Sequence, residues 1–360
     1  MLKHTSSENL LENVESILPI IKQGAEASEQ SGRLQEDVLD ALFEQRLFRL
    51  FISEKYQGET TDLPTALKVF EKVASADGAT GWLVMIGAGG GLFSGFLEEK
   101  AARDIFLPER AAIAGSGMPS GEAKAITDGF EVSGRWGYAS GSDYATWFTA
   151  NCKVVGKEDE IVSIAVPADK VIQHQTWDVF GMKATGSHDF SIDSVTVPKT
   201  YTFSLFEKPL LDDPIFFCPL ETLASLTFAS VAIGITQHAV DEFIAFAKQK
   251  QISETQSLMN VEDIKQRCDQ TEQLLHDSRK RLYQQSEQVW QAAEKKRHPS
   301  DALRETITEE AIEMVQSCVK RVDALKVHSG MMAVFTTSPF GRAWRDLHTL
   351  SQHVILTPKL

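Results

Sequence analysis

The pattern of hydrophobic and polar positions divides the chain into three zones. From residue 8 to about residue 106, apolar residues recur at i, i+3 and i+4, which is typical of amphipathic helices packed on a core. From about residue 111 to 201 the pattern changes to short β-type runs separated by turn signals such as Asp128-Gly129, which predicts hairpins and an antiparallel sheet. From about residue 220 to 353 the helical periodicity returns.

The last zone predicts two long antiparallel helices. Pro299-Ser300-Asp301 supplies a break followed by a capping residue, so one helix ends before it and the next begins after it. The first of the two carries small or apolar residues that alternate by four and three positions, close to a heptad seam: Ile264, Cys268, Thr271, Leu275, Ser278, Leu282, Gln285, Val289 and Ala292. This seam is compatible with packing inside the chain or against another copy.

The order of helices, strands and helices predicts an α+β fold with segregated layers. We expect an N-terminal helical domain (1–109), a middle antiparallel β-barrel or sheet domain (110–210) and a C-terminal four-helix bundle (211–360). A dinucleotide-binding fold is disfavoured, since the glycine clusters at 87–92 and 115–120 both lack the third glycine of G-x-G-x-x-G.

Composition excludes several classes of function. The 360 residues include 36 basic and 50 acidic side chains, a formal charge of -14, so no cationic surface is expected for nucleic acid or for anionic membranes. The four cysteines have no C-x-x-C spacing, which argues against a metal site and against disulfides. The N-terminus lacks the pattern of a signal peptide, and the glycine-interrupted stretch 79–97 is expected to be a buried helix. A cytoplasmic protein fits best.

Three segments carry candidate chemistry. Gly134 to Ser142 is a strand leading into a glycine-flanked turn that carries Ser140, suited to holding a planar ligand; the alternative is an ordinary turn with Trp136 in the core. Trp177 to Asp189 contains Thr185-Gly186-Ser187, whose hydroxyls are able to donate to a cofactor; a simple strand-capping turn is equally compatible.

The third segment, Pro339 to His353, contains two histidines. His348 and His353 are five residues apart, a rotation of about 500° on a helix that separates them by roughly 140°. They are therefore not expected to share a metal ion, and at most one faces a given pocket.

Together these segments resemble the acyl-CoA dehydrogenase superfamily, and more closely its flavin-dependent monooxygenase branch, the oxygenase components of two-component aromatic hydroxylases such as hydroxyphenylacetate hydroxylase and dibenzothiophene monooxygenase. The features that carry the resemblance are 76–82, 134–141, 177–189 with Val197-Pro198, and 342–353. Dehydrogenases of the superfamily place a catalytic glutamate eight residues after the Asp of an Arg-Asp pair. Here that position is Val354, which cannot remove a proton, and His353 precedes it.

The resemblance implies a reaction in which reduced flavin and O₂ form a C4a-hydroperoxide that hydroxylates a small aromatic or heteroatom substrate. It implies that His353 is catalytic, either as a base toward a phenol or as a hydrogen-bond partner of the peroxide, and that Ser140 binds the substrate or the peroxide. The flavin is expected to lie against a set of residues on the β domain, and the substrate against two others. The flavin set is Trp136, Gly141, Thr185, Gly186 and Ser187; the substrate set is Trp82 and His348.

The implied cofactor is reduced FMN or FAD, delivered by a separate NAD(P)H-dependent flavin reductase, because the phosphate-gripping Arg-x-x-Phe-Gly element of the dehydrogenases is missing between 249 and 262. A homotetramer, a dimer of dimers, is implied as well. Two alternatives remain open: an FAD-dependent acyl-CoA dehydrogenase type with another base such as Glu242, and a flavin-free binding protein on the same fold. The sequence does not identify the substrate.

Overall fold

The computed structural model describes residues 7–358. Residues 1–6 of the predicted first domain and residues 359–360 of the predicted third domain lie outside the described residues. The expectation for the N-terminal segment 1–6 therefore lies outside them too. The predicted domain boundaries fall in connections, after the fifth helix at 109/110 and after the seventh strand at 210/211. The division into three domains stays a prediction.

Of the five described α-helices in the N-terminal region, the first four contribute to the main core, and the fifth packs in a second apolar cluster with residues of the sheet region. The helices are α1 (Ser7–Ser31), α2 (Glu36–Glu44), α3 (Leu63–Ala74), α4 (Gly78–Gly90) and α5 (Glu99–Phe106). Asp77 caps α4 by accepting the backbone N–H of Thr80 at 2.9 Å and its hydroxyl at 2.7 Å. As expected for the stretch 79–97, α4 is almost wholly buried.

Among the described residues, the middle region forms a seven-stranded sheet whose strand order is β5-β6-β2-β1-β3-β4-β7. The strands are β1 (Ile113–Ile126), β2 (Gly129–Ala139), β3 (Trp147–Val154), β4 (Lys157–Pro167), β5 (Ile172–His174), β6 (His188–Pro198) and β7 (Thr202–Phe203). The predicted turn at Asp128-Gly129 joins β1 to β2. The expected wholly antiparallel sheet needs a correction, because β1 and β3 pair in parallel.

The C-terminal region is a bundle of long helices around a central apolar one. Its elements are α6 (Leu220–Gln249), a small hairpin of β8 (Gln251–Ser253) and β9 (Gln256–Ser257), α7 (Glu262–Glu294), α8 (Asp301–Lys326) and α9 (Pro339–Leu350). Ser300 caps α8 as predicted, by accepting the N–H of Leu303. The seam on α7 is buried within the chain, so it packs inside the bundle.

One described helix, α6, has the length and apolar composition of a membrane span, but 89% of its apolar window is buried inside the protein. It is therefore the core helix of the bundle, packed against α3, α7, α8 and α9. The predicted α+β fold, helical at both ends of the chain with a sheet between, is confirmed.

Candidate active site

A line of hydrogen-bonded hydroxyl groups lies where the sheet meets α4. The indole Nε1 of Trp82 donates to Ser140 Oγ at 3.0 Å, and Ser140 Oγ lies 2.8 Å from Ser187 Oγ. Ser187 Oγ lies 2.7 Å from Thr185 Oγ1, which donates to the carbonyl of Met182 at 2.8 Å. The structure therefore brings together four of the predicted site residues, which come from three distant segments of the chain.

These bonds take one direction when Thr185 Oγ1 donates to the Met182 carbonyl, which also accepts from the N–H of Thr185 and from Trp177 Nε1. A hydroxyl has one proton, and that of Thr185 goes to the carbonyl of Met182, so Thr185 must accept from Ser187. Ser187 must then accept from Ser140, so the hydroxyl proton of Ser140 points toward Ser187 Oγ. Toward any ligand, Ser140 therefore presents a lone pair and acts as an acceptor.

The same argument changes the expectation for Thr185 and Ser187, which were predicted to donate to a cofactor. Both side chains are buried and both protons are used within the line of hydroxyls. The equally compatible alternative, a turn that bonds to its own backbone, describes them better.

Two glycine turns hold this arrangement. Gly141 has φ +80° and Gly186 has φ +49°, left-handed conformations that glycine adopts without steric cost. The N–H of Gly141 donates to the carbonyl of Thr185 at 2.9 Å, and Ser142 Oγ donates to the carbonyl of Gly186 at 2.7 Å. We call Ser140, Ser187, Thr185 and these two glycines the Ser140 wall.

His353 also packs against Trp82. Its ring centroid is 5.9 Å from that of Trp82 and 4.6 Å from that of Phe228, which it meets edge to face. Trp82 and Phe228 also contact each other, at 4.8 Å. We call His353 and Phe228 the His353 wall; Trp82 touches both walls.

The tautomer of His353 follows from its backbone contact. Nδ1 accepts the N–H of Ile355 at 3.3 Å, so the neutral ring carries its proton on Nε2. Within residues 7–358, Nε2 has no hydrogen-bond partner. Burial lowers the pKa of His353, which keeps the ring neutral near pH 7. His353 therefore presents an N–H donor.

Trp136 requires a correction. It is 0% exposed, its ring stacks on Phe190, and Nε1 donates to the carbonyl of Asn151 at 2.8 Å. It belongs to the core of the sheet, the alternative stated for this turn, and does not line a ligand site.

The sequence prediction gives no ligand role to Tyr138, the phenol in the segment that carries Trp136 and Ser140. Register between β2 and β6 shifts between Trp136 and Ala139, and Tyr138 takes φ +65°. This irregularity turns its ring outward, 69% exposed and edge to face with Trp177 at 6.3 Å. The only signal in the sequence is the neighbouring Gly137, which is compatible with a bulge.

His348 and Glu242 lie away from the two walls. His348 Nε2 lies 2.9 Å from Asp323 Oδ1, and its ring packs on Trp344 at 4.7 Å, so the structure does not bring it together with His353. Glu242 follows Phe228 by 14 residues on α6, about 21 Å along the helix. Val354, at the position of the dehydrogenase glutamate, is 80% exposed.

Comparison with known proteins agrees with this geometry. Residues 226–358 match the family described as acyl-CoA dehydrogenase, C-terminal domain. The chain is 26% identical to indole-3-acetate monooxygenase of Acinetobacter baumannii, over 90% of this chain and 84% of that protein. It is 24% identical to the flavin-dependent monooxygenase, oxygenase subunit HsaA, of Rhodococcus jostii, over 97% and 95% of the two chains.

Solved structures show the same fold. The 3-HSA hydroxylase from Rhodococcus sp. RHA1 superposes with a TM-score of 0.90 at 22% identity, over 97% of this chain and 93% of that one. XiaF from Streptomyces sp., in complex with FADH2 and glycerol, gives 0.88 at 22% identity, over 97% and 92%. FMN-bound TdsC from Paenibacillus sp. A11-2 gives 0.82 at 17% identity, over 96% and 94%.

These likenesses confirm the resemblance to the acyl-CoA dehydrogenase superfamily and to its flavin-dependent monooxygenase branch. The predicted enzyme class, a flavin-dependent monooxygenase, agrees with the names of these relatives.

Proposed function

We propose that this chain, with the acyl-CoA dehydrogenase fold and relatives among flavin-dependent monooxygenases, is the oxygenase component of a two-component system. It uses reduced flavin and O₂ to hydroxylate a small aromatic or heteroatom substrate. The observation that supports this most directly is that Ser140, an acceptor, and His353, a donor, both contact Trp82.

The residues present fit a flavin. Ser140 keeps a lone pair that no described residue uses, and the exposed ring of Tyr138 lies two residues before it. We propose that Tyr138 packs on the isoalloxazine in place of Trp136, and that the backbone around Gly141 and Gly186 forms the floor beneath it. When bound, reduced flavin activates O₂ so that one oxygen atom is transferred to the substrate.

An acceptor at Ser140 favours the reduced cofactor. Reduced flavin carries an N–H at N5, whereas the N5 of oxidised flavin is an acceptor, so Ser140 acting as an acceptor would hold only the reduced form at that atom. The choice between FMN and FAD stays open, because XiaF was solved with FADH2 and TdsC with FMN.

We assign His353 the role of a donor. Its Nε2–H is free to hold an oxygen atom of the substrate or of activated O₂, and the surrounding Trp82 and Phe228 rings exclude water. A base at Nε2 requires the proton on Nδ1, which would break the contact with the Ile355 N–H. Of the two roles that the resemblance implies, the contact favours hydrogen bonding.

The names of the relatives support a small aromatic substrate, since indole-3-acetate and p-hydroxyphenylacetate are the named substrates of two of them. We further propose a separate NAD(P)H-dependent reductase, a homotetramer and a cytoplasmic location.

Anaerobic titration with reduced and oxidised FMN and FAD tests the proposal. We expect the reduced forms to bind more tightly, and, on adding O₂ with indole-3-acetate or a phenol, a hydroxylated product. His353→Ala should slow product formation by about 10²- to 10³-fold, whereas His276→Ala, which changes an exposed histidine on α7, should not. Failure of the wild-type protein to bind any flavin would favour the flavin-free binding protein; reduction of bound FAD by an acyl-CoA would favour the dehydrogenase.

A further inference from the structure

A buried group of charged residues joins α1, α4 and α9. Arg345 Nη2 lies 2.7 Å from Glu29 Oε1, and Arg342 Nε lies 3.4 Å from Asp77 Oδ1. Asp346 is the fifth member, and every one of these side chains is buried. We call these five residues the ionic cluster.

Asp346 differs from the other members of the ionic cluster. Its Oδ1 accepts the backbone N–H of Met182 at 2.6 Å, and it makes no ion pair within residues 7–358. Its Oδ2 is buried without a partner there. Burial, reinforced by the nearby Asp77, raises the pKa of Asp346 well above its usual range. Its main contact is therefore with a loop of the sheet region rather than with an arginine.

Met182 is the residue on which the Ser140 wall rests. Its carbonyl accepts from Thr185 Oγ1 at 2.8 Å and from Trp177 Nε1 at 3.0 Å, and its φ of +55° starts the turn that carries Thr185. Asp346 thus holds the N–H of the residue whose carbonyl ends the line of hydroxyls.

Close backbone packing adds to this attachment. A Cβ on Gly181 would lie 2.2 Å from the carbonyl oxygen of Arg345, and a Cβ on Gly78 would lie 2.9 Å from Asp346 Oδ2. The loop before Met182 and the start of α4 therefore both meet α9 at Arg345 and Asp346, on the helix that leads to His353.

We propose that Asp346 is a positioning residue for the reaction: by holding the N–H of Met182 it fixes the turn that carries Thr185 and Ser187, and with it the direction of the free lone pair of Ser140. This inference rests on the proposed function, which gives Ser140 its ligand. It assigns Asp346 no contact with substrate or cofactor.

Hydrogen–deuterium exchange and product coupling test this together. Asp346→Ala removes the acceptor and Asp346→Ser draws it back by shortening the side chain, whereas Asp346→Asn keeps an oxygen at the position of Oδ1. We expect the first two to speed exchange in segments 177–187 and 138–142 and to raise the ratio of released hydrogen peroxide to product by about tenfold or more, as small misplacements in active sites do. Asp346→Asn should stay within about twofold of wild type, by the same reasoning.

Glu29→Gln is the matched control, because it removes a charge from the ionic cluster without touching Met182. We expect it to lower the thermal midpoint while exchange in 177–187 and the peroxide ratio stay near wild type. The proposal is overturned if exchange is unchanged in Asp346→Ala and Asp346→Ser. It is overturned equally if Asp346→Asn and Glu29→Gln show the same loss, which would indicate a general role of charge.

The exchange measurement needs no flavin and separates this inference from the proposed function. If wild-type protein forms no product, the proposed function fails, and exchange in the Asp346 variants still decides whether this residue fixes the Ser140 turn.

Discussion

The Ser140 wall and the His353 wall face the same tryptophan but are built differently. The first is held by hydrogen bonds that run in one direction from Trp82 to the carbonyl of Met182, so its geometry and its polarity are both fixed. The second is held by ring contacts and by one contact of 3.3 Å to a backbone N–H. Bonds fix where an acceptor points, whereas packing leaves a donor able to adjust to what it binds.

The largest expected effect separates the two roles of His353. Donation from Nε2 predicts that His353→Ala slows product formation by about 10²- to 10³-fold, while His353→Gln, whose side-chain N–H reaches the position of Nε2, stays within about tenfold of wild type. Single-turnover reactions with reduced flavin measure this. Equal losses in the two variants would show that the ring acts as a base.

The next effect isolates the acceptor. Ser140→Ala leaves the N–H of Trp82 and the hydroxyl of Ser187 without their partner, which costs about 1–3 kcal/mol of stability. Ser142→Ala removes a buried serine of the same turn whose hydroxyl bonds only to Gly186. We expect both variants to lose stability in urea titrations, but only Ser140→Ala to bind reduced flavin about tenfold more weakly. Similar affinities in the two variants would contradict a role for Ser140.

A smaller effect tests whether the Met182 carbonyl sets the direction of the hydrogen bonds between the hydroxyl groups. Trp82→Phe keeps a ring against Phe228 and His353 but removes the Nε1–H, so we expect a stability loss of about 0.5–1.5 kcal/mol. The inward proton of Ser140 is set by Ser187 and Thr185, so the preference for reduced over oxidised flavin should persist. Loss of that preference would show that Trp82 sets the direction.

The smallest expected effect is a pH dependence confined to the His353 wall. Burial lowers the pKa of His353 below its ordinary 6.5, so at falling pH the unfolded chain binds this proton before the folded one does. The contribution of His353 to the free energy of unfolding is therefore present above about pH 6.5 and is lost as the pH falls. The difference in unfolding free energy between wild type and His353→Gln should shrink or reverse below that pH, and a constant difference would contradict the assignment.

Much of the fold is predictable from local pattern. The heptad-like spacing on α7 and the capping residue Ser300 both appear in the structure as the sequence predicts. The parallel pairing of β1 with β3 is not predictable in this way. Strand β1 forms a hairpin with β2, and β3 follows the next turn, so β1 and β3 meet only after the sheet has formed. The alternation of apolar and polar residues along a strand does not indicate which strand lies next to it in the sheet.

The candidate site divides in the same manner. The roles of His353 and Ser140 follow from motif order and stay predictions, whereas our proposal of Tyr138 in place of Trp136 depends on a register shift in β2 that Gly137 alone does not predict. The direction of the hydroxyls depends on the carbonyl of Met182, and the contact of Asp346 with Met182 joins residues 164 positions apart. Hydrogen-bond polarity is a property of the assembled site.

The packing of Gly181 on the carbonyl of Arg345 limits the positions that directed evolution of this protein can vary. Any side chain at 181 meets backbone atoms that cannot rotate away, so libraries that vary this position should be depleted of active members. Gly117, in the bulged part of β1, has no atom within 4 Å of a Cβ placed on it, and the adjacent Met118 is exposed. Diversity is better introduced there, where the backbone leaves room for it.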